Sequence, residues 1–120
     1  MTIDRTGVTR IVLLTRRYAF KLPNFMYGWR FFLRGLLANL QEKDVYGWCH
    51  RREDLCPVRW TLPLGFLVVM PRVRLMTARE FIDFDYKAWS LKDERYLTVE
   101  EKPNSFGWLN DRIVAIDYGN

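Results

Sequence analysis

The side chains able to do chemistry are few. Cys49 and Cys56 lie seven positions apart with only His50 near them. A structural zinc needs about four N or S ligands, and no second Cys or His pair completes such a set, which excludes that class. His50 has no Ser or Cys nucleophile motif around it, so a catalytic triad is unsupported. What remains is a set of lysines and acids beside apolar runs: Lys21 in Tyr18-Ala-Phe-Lys-Leu22, Glu42 late in a long helical pattern, the charged loop from Glu100 to Ser105, and Asp117 after Ile113-Val-Ala-Ile116. Taken singly, each has an ordinary explanation. A lysine near the end of an exposed strand is a solvated residue that deters aggregation. Glu42, followed by Lys43 and Asp44, reads as part of a solvated helix face. Asp117 before Tyr-Gly is a turn former, and Glu100 and Glu101 read as exposed loop charges.

The elements that must position these residues follow from periodicity and breakers. Ile11 to Leu14 and Tyr18 to Leu22 are β-prone runs around Thr15-Arg16-Arg17, which predicts an antiparallel hairpin ended by Pro23-Asn24. Trp29 to about Tyr46 is the main helix: Phe32, Leu33, Leu36, Leu37 and Leu40 recur at helical spacing, with Gly47 as its stop. Within it, Gly35, Ala38 or Asn39, and Glu42 form a second stripe that puts Glu42 on one face beside small residues. Residues 48–57 read as a polar loop. Val58 to Leu64 and Gly65 to Met70 read as two strands, the second almost wholly apolar and therefore central. Thr77 with Glu80 spells a capping box for one helix reaching about Leu91. Phe106 to Leu109 and Ile113 to Ile116 flank Asn110-Asp111 as a second hairpin.

In that order, three sites resemble pieces of the protein-kinase-like fold. Ala19-Phe20-Lys21 is similar to the family's Ala-x-Lys, and Glu42 stands where the lysine's helical glutamate belongs. The loop Glu100-Glu-Lys-Pro-Asn-Ser105-Phe106 resembles the catalytic loop, matching at Lys102 and Pro103. Ile113-Val-Ala-Ile116 followed by Asp117-Tyr118-Gly119 resembles the strand and the metal-binding Asp-Phe-Gly. The resemblance implies that Lys21, Glu42 and Lys102 serve the nucleotide, that Glu100 stands in the place of the base, and that Asp117 with Ser105 or Asn104 holds magnesium. Gly65 to Val73 would be the central strand and hinge receiving adenine.

Departures from the pattern weaken catalysis. The glycine-rich loop is reduced to Gly7, the acid at 100 is longer by one methylene, and the chain stops one residue after Gly119, before any activation segment or full helical lobe. A misplacement of about 1 Å can cost a hundredfold in rate. The expected fold class is α+β: an antiparallel kinase N-lobe-like sheet with one main helix, a hinge, a short helix and a catalytic-loop-like β-hairpin, without a full helical C-lobe. It forms a single domain over 1–120, with an N-lobe-like part over 1–70. The function implied is a degenerate kinase-like protein that binds nucleotide, as ATP with Mg, or another protein. The alternatives are a minimal phosphotransferase acting on a small molecule or itself, and a basic module binding nucleic acid or a host protein.

Composition bounds these expectations. With 120 residues, 49% hydrophobic and 28% charged, the chain has enough apolar material for a packed core, which excludes disorder. Charge is uneven: residues 1–60 carry 11 basic and 5 acidic groups, residues 61–120 carry 8 and 9, so an anion-attracting surface belongs to the first half. Arginines 5, 10, 16, 17, 30, 34, 51 and 52 interleave with Tyr18, Tyr27, Trp29 and Trp48, yet form no long uninterrupted patch, and a solvated face is the plainer reading. With 5 Trp in so small a chain, some stay exposed and mark a partner surface. No apolar run is long enough to span a bilayer, so no membrane partner is expected. The start MTIDRTGVTR has no apolar signal core. Free thiols in a reducing, cytoplasmic compartment are the expectation, with a short local disulfide left open.

Overall fold

The computed structural model describes residues 2–4, 9–48, 52–90, 99 and 101–118. The β-prone runs form the expected hairpin: β2 (Arg10–Leu14) pairs antiparallel with β3 (Tyr18–Pro23), with Val12 opposite Lys21 and Leu13 opposite Phe20. A short β1 (Thr2–Asp4) joins β2 on its outer edge. On the other side β3 pairs with β5 (Leu67–Pro71), and β5 with β4 (Trp60–Leu62), giving the antiparallel order β1-β2-β3-β5-β4. The apolar β5 is interior, as its composition predicts, with Val68, Val69 and Met70 buried.

Alternation sorts the sheet into two faces. Register puts Val12, Lys21, Val68 and Thr61 in one row, and Leu13, Phe20, Val69 and Trp60 in a row on the opposite face. Arg10, two residues before Val12, shares the face of Lys21.

The main helix α1 (Trp29–Trp48) covers the Lys21 face, running through Gly47 and two residues past the expected end. Its lead-in is a turn in which the Asn24 side chain accepts the Met26 N–H at 2.9 Å. Gly35 lets the helix reach the sheet backbone: a Cβ there would sit 2.3 Å from the Thr9 carbonyl oxygen and 2.8 Å from Pro23 Cα. The helix does not bury the leucine stripe. Its buried residues are Gly35, Ala38, Asn39, Glu42 and Val45, whereas Leu33 and Leu37 are exposed. The second stripe wins because close backbone approach at Gly35 and an ion-pairing partner for Glu42 exist only on that side.

The second half builds a three-stranded sheet in the order β6-β7-β8, from β6 (Arg74–Leu75), β7 (Phe106–Leu109) and β8 (Arg112–Ala115). The β7–β8 hairpin turns at Asn110, which takes φ 59, a left-handed conformation that Asn tolerates. Thr77 and Glu80 do form the capping box, but the helix they start is α2 (Ala78–Asp83) only. Phe84 is extended at φ −88, ψ 125, and a separate α3 (Tyr86–Ser90) follows. Asp85 accounts for the break, because its carboxylate caps the Ala88 N–H at 3.0 Å and so nucleates a new helix. Around Phe106, fully buried, gather the rings of Phe81, Phe84, Tyr86 and Trp89 at centroid distances of 5.0–6.1 Å.

The segment expected as a polar loop is partly core. Asp54, Leu55, Cys56 and Pro57 are buried, Leu55 bridges Ala115 in parallel, and the Cys56 N–H donates to the Ala115 carbonyl at 2.8 Å. Cys56 is a free thiol, and burial pushes it up to about 11, so it is inert packing. Cys49 and His50 lie outside the described residues. The architecture is thus α+β, with two antiparallel sheets and one main helix. Among the described residues no helix is long and apolar enough to cross a membrane.

Candidate functional site

The sheet face under α1 carries charge where a core would carry hydrocarbon. Lys21 projects from the interior strand β3 and is 7% exposed, while Glu42 opposite it on α1 is fully buried. The Lys21 ammonium donates to both Glu42 oxygens, at 3.0 and 3.2 Å. Its third partner is the Ile116 carbonyl. The solvated readings of Lys21 and Glu42 are therefore corrected: β3 is not an edge, and Glu42 sits on the helix face turned to the sheet.

Arg10 completes the cluster. Its guanidinium donates from Nη1 to Glu42 Oε1 at 2.7 Å and from Nη2 to Glu42 Oε2 at 3.1 Å, and the same Nη2 reaches Asp117 Oδ1 at 2.8 Å. Nη1 also donates to Asn39 Oδ1 at 3.2 Å. Asn39, one turn before Glu42, uses its amide to bond the carbonyls of Lys21 at 3.0 Å and Gly65 at 2.9 Å. The Tyr118 backbone N–H donates to Glu42 Oε2 at 3.2 Å. Among the described residues, two cations and two anions from β2, β3, α1 and the stretch after β8 thus form one formally neutral group.

The electrostatics follow from burial and pairing. Burial disfavours the Glu42 carboxylate, but Arg10 and Lys21 outweigh it and hold its pKa below the ordinary carboxylate value. Burial likewise opposes the charge on Arg10, yet Glu42 and Asp117 raise its pKa above the ordinary guanidinium value. For Lys21 burial wins, with the neighbouring guanidinium adding repulsion, and its pKa is lowered despite Glu42.

The sequence-predicted residues divide into those the fold brings together and those it does not. Lys21, Glu42 and Asp117 are joined in the cluster, Asp117 through Arg10. Ser105 is fully buried and adjoins the approach to Asp117, since its carbonyl accepts the Ile116 N–H at 2.9 Å. Its hydroxyl has no hydrogen-bond partner among the described residues. Asn104 is exposed in a 3-10 turn, Pro103–Ser105, and Lys102, just before it, is half-buried. Glu100, Gly7 and Gly119 lie outside the described residues. Among the described residues, no group of three or more His, Cys, Asp or Glu gathers in metal-holding geometry. Sequence reasoning missed Arg10 as a cluster member, and the signal for it was strand alternation, which puts Arg10 on the face of Val12 and Lys21. Comparison with family models, curated proteins and solved structures finds no match to this chain.

Proposed function

We propose that this chain is a kinase-like domain that does not transfer phosphate and acts by binding another protein. The observation that carries the reading is the position of Arg10 between Glu42 and Asp117. To serve a nucleotide, Lys21 must offer N–H groups to phosphate oxygens and Asp117 must offer lone pairs to a divalent cation. All three ammonium hydrogens of Lys21 already have acceptors in Glu42 and Ile116. Beside Asp117, a guanidinium supplies the positive charge that a metal would bring. The Lys21 donors and one Asp117 oxygen are thus taken up within the cluster, so the residues as they stand do not fit that ligand without breaking the Arg10–Asp117 pair. A minimal phosphotransferase would need Asp117 released from Arg10. A reducing cytoplasmic location accords with the unpaired, buried Cys56 thiol.

A thermal-shift titration with millimolar ATP, with and without Mg²⁺, tests the reading on the whole chain, because a ligand that binds only the native state must raise its stability. No shift under either condition is the expected result. A melting temperature that climbs with Mg·ATP concentration overturns it, and so does phosphate transfer that is lost on Asp117→Ala.

A further inference from the structure

We infer that the outward face of α1 is a docking surface for an acidic amphipathic helix supplied by another protein. The inference names the partner class for the protein-binding reading above and rests on it. Three observations converge on this face.

The first is the inversion of α1. Its small and polar stripe is turned inward to the ion cluster, and its apolar stripe outward, so Trp29, Leu33 and Leu37 stand one turn apart on solvent-facing helix. Leu37 is 64% exposed. Water-facing leucines at this spacing are the anchors by which one helix receives another.

The second is the turn Pro63–Gly65, which lies against the same helix: a Cβ on Gly65 would meet the Leu36 carbonyl oxygen at 2.3 Å and Leu40 Cγ at 3.0 Å. In that turn Leu64 is held at φ 63 and left 70% exposed. A leucine in the left-handed region is strained, and here the strain presents an apolar side chain to solvent beside α1. The turn thus adds a fourth exposed apolar side chain beside those of Trp29, Leu33 and Leu37.

The third is charge, which decides the occupant. Arg30 and Arg34, also one turn apart, flank Leu33 and Leu37 on the helix surface, and neither makes an ion pair among the described residues. Against these two arginines stands one exposed acid on the same helix, Asp44, seven positions after Leu37. A second copy of this chain would bring two arginines from each helix against a single Asp44 from each, an excess of like charge that opposes the pairing. A helix with leucine-type anchors and carboxylates on its flanks satisfies both the apolar stripe and the arginines.

Fluorescence anisotropy with the whole chain tests this. The probes are a labelled synthetic amphipathic helix with leucine on one face and glutamate on its flanks, and the same peptide with lysine replacing glutamate. The glutamate peptide binds at least about tenfold tighter than the lysine peptide, and binding weakens with added salt. Leu37→Asp abolishes binding, and Arg30→Glu with Arg34→Glu reverses the preference. Both sites are exposed, and circular dichroism confirms that the variants keep the fold. Equal binding of the two peptides, indifference to Leu37→Asp, or no binding of either overturns the inference. Leu37-dependent retention on phosphatidylserine vesicles without peptide binding, or a dimer that Leu37→Asp dissolves, overturns it in favour of a lipid or a second copy. If Mg·ATP stabilises the protein while the glutamate peptide still binds through Leu37, the docking surface stands and the non-transferring reading falls.

Discussion

Arg10 and Asp117, 107 positions apart, meet at 2.8 Å, and the same guanidinium grips Glu42 on the main helix. The five-stranded sheet, α1 and the segment leaving the three-stranded sheet are thereby held by one side chain. Partly buried charge pairs are weakly screened by solvent, so this contact is structural as well as chemical. It makes the charged residues under α1 depend on one another.

Removing the shared anion hurts more than removing one of its cations. Glu42→Gln leaves Arg10 and Lys21 buried against each other and destabilises by about 3–5 kcal/mol. Lys21→Met keeps Glu42 bonded to Arg10 and to the Tyr118 N–H. Its cost is about 1–3 kcal/mol, from the lost pairing and the unfilled Ile116 carbonyl. Urea unfolding of both variants checks the order, and equal or reversed losses would show that the cluster does not pivot on Glu42.

Acid dissolves the cluster from the carboxylate side. Because the folded pKa of Glu42 lies below its ordinary 4.5, its contribution is fully present above that ordinary value and is lost as pH falls through the depressed folded one. Lys21→Met removes one of the two cations that depress it, so the acid limb of stability moves to higher pH. Denaturant midpoints between roughly pH 2 and 6 read this out; superimposable limbs for the two proteins would contradict it.

Two glycines of α1 respond oppositely to alanine. Gly35→Ala drives a methyl into the Thr9 carbonyl and Pro23, and overpacking of about 1–3 kcal/mol outweighs the helix-propensity gain of about 1 kcal/mol. At Gly47 a Cβ meets nothing within 4 Å, so Gly47→Ala stabilises by about 0.5–1 kcal/mol. A stabilising Gly35→Ala would mean that α1 does not lie on the sheet backbone.

The capping box on α2 has a titration signature. Arg74 grips both Glu80 oxygens at 2.9 and 3.0 Å, and that hydrogen bonding, with the Thr77 N–H, pulls Glu80 down to about 2. Arg74→Ala raises the Glu80 pKa while leaving it below the ordinary value, because the Thr77 bond persists. Carbon-detected NMR titration of the Glu80 carboxyl gives the shift directly, and an unmoved value would remove Arg74 as the cause.

Local pattern was enough for the elements whose causes are local. Alternation marked the β2–β3 hairpin, Asn110-Asp111 marked the β7–β8 turn, and Thr77 with Glu80 marked the start of α2. The Ala-Phe-Lys and Asp-Tyr-Gly resemblance singled out Lys21, Glu42 and Asp117, which the fold does gather. Three things were not written locally: the burial of Lys21, the pairing of Arg10 with Glu42 and Asp117, of which alternation marks only the strand face, and the outward turn of Leu33 and Leu37. Apolar periodicity assumes that the greasiest face is buried, and α1 breaks that assumption. A fully ionised Glu42 is tolerable inside the protein only where Arg10 and Lys21 stand ready, and those partners are 32 and 21 positions away. Chain composition determined which groups carry charge; only tertiary packing decided which charges face one another, because desolvation is offset by contacts between distant strands and the helix, never by neighbours in sequence.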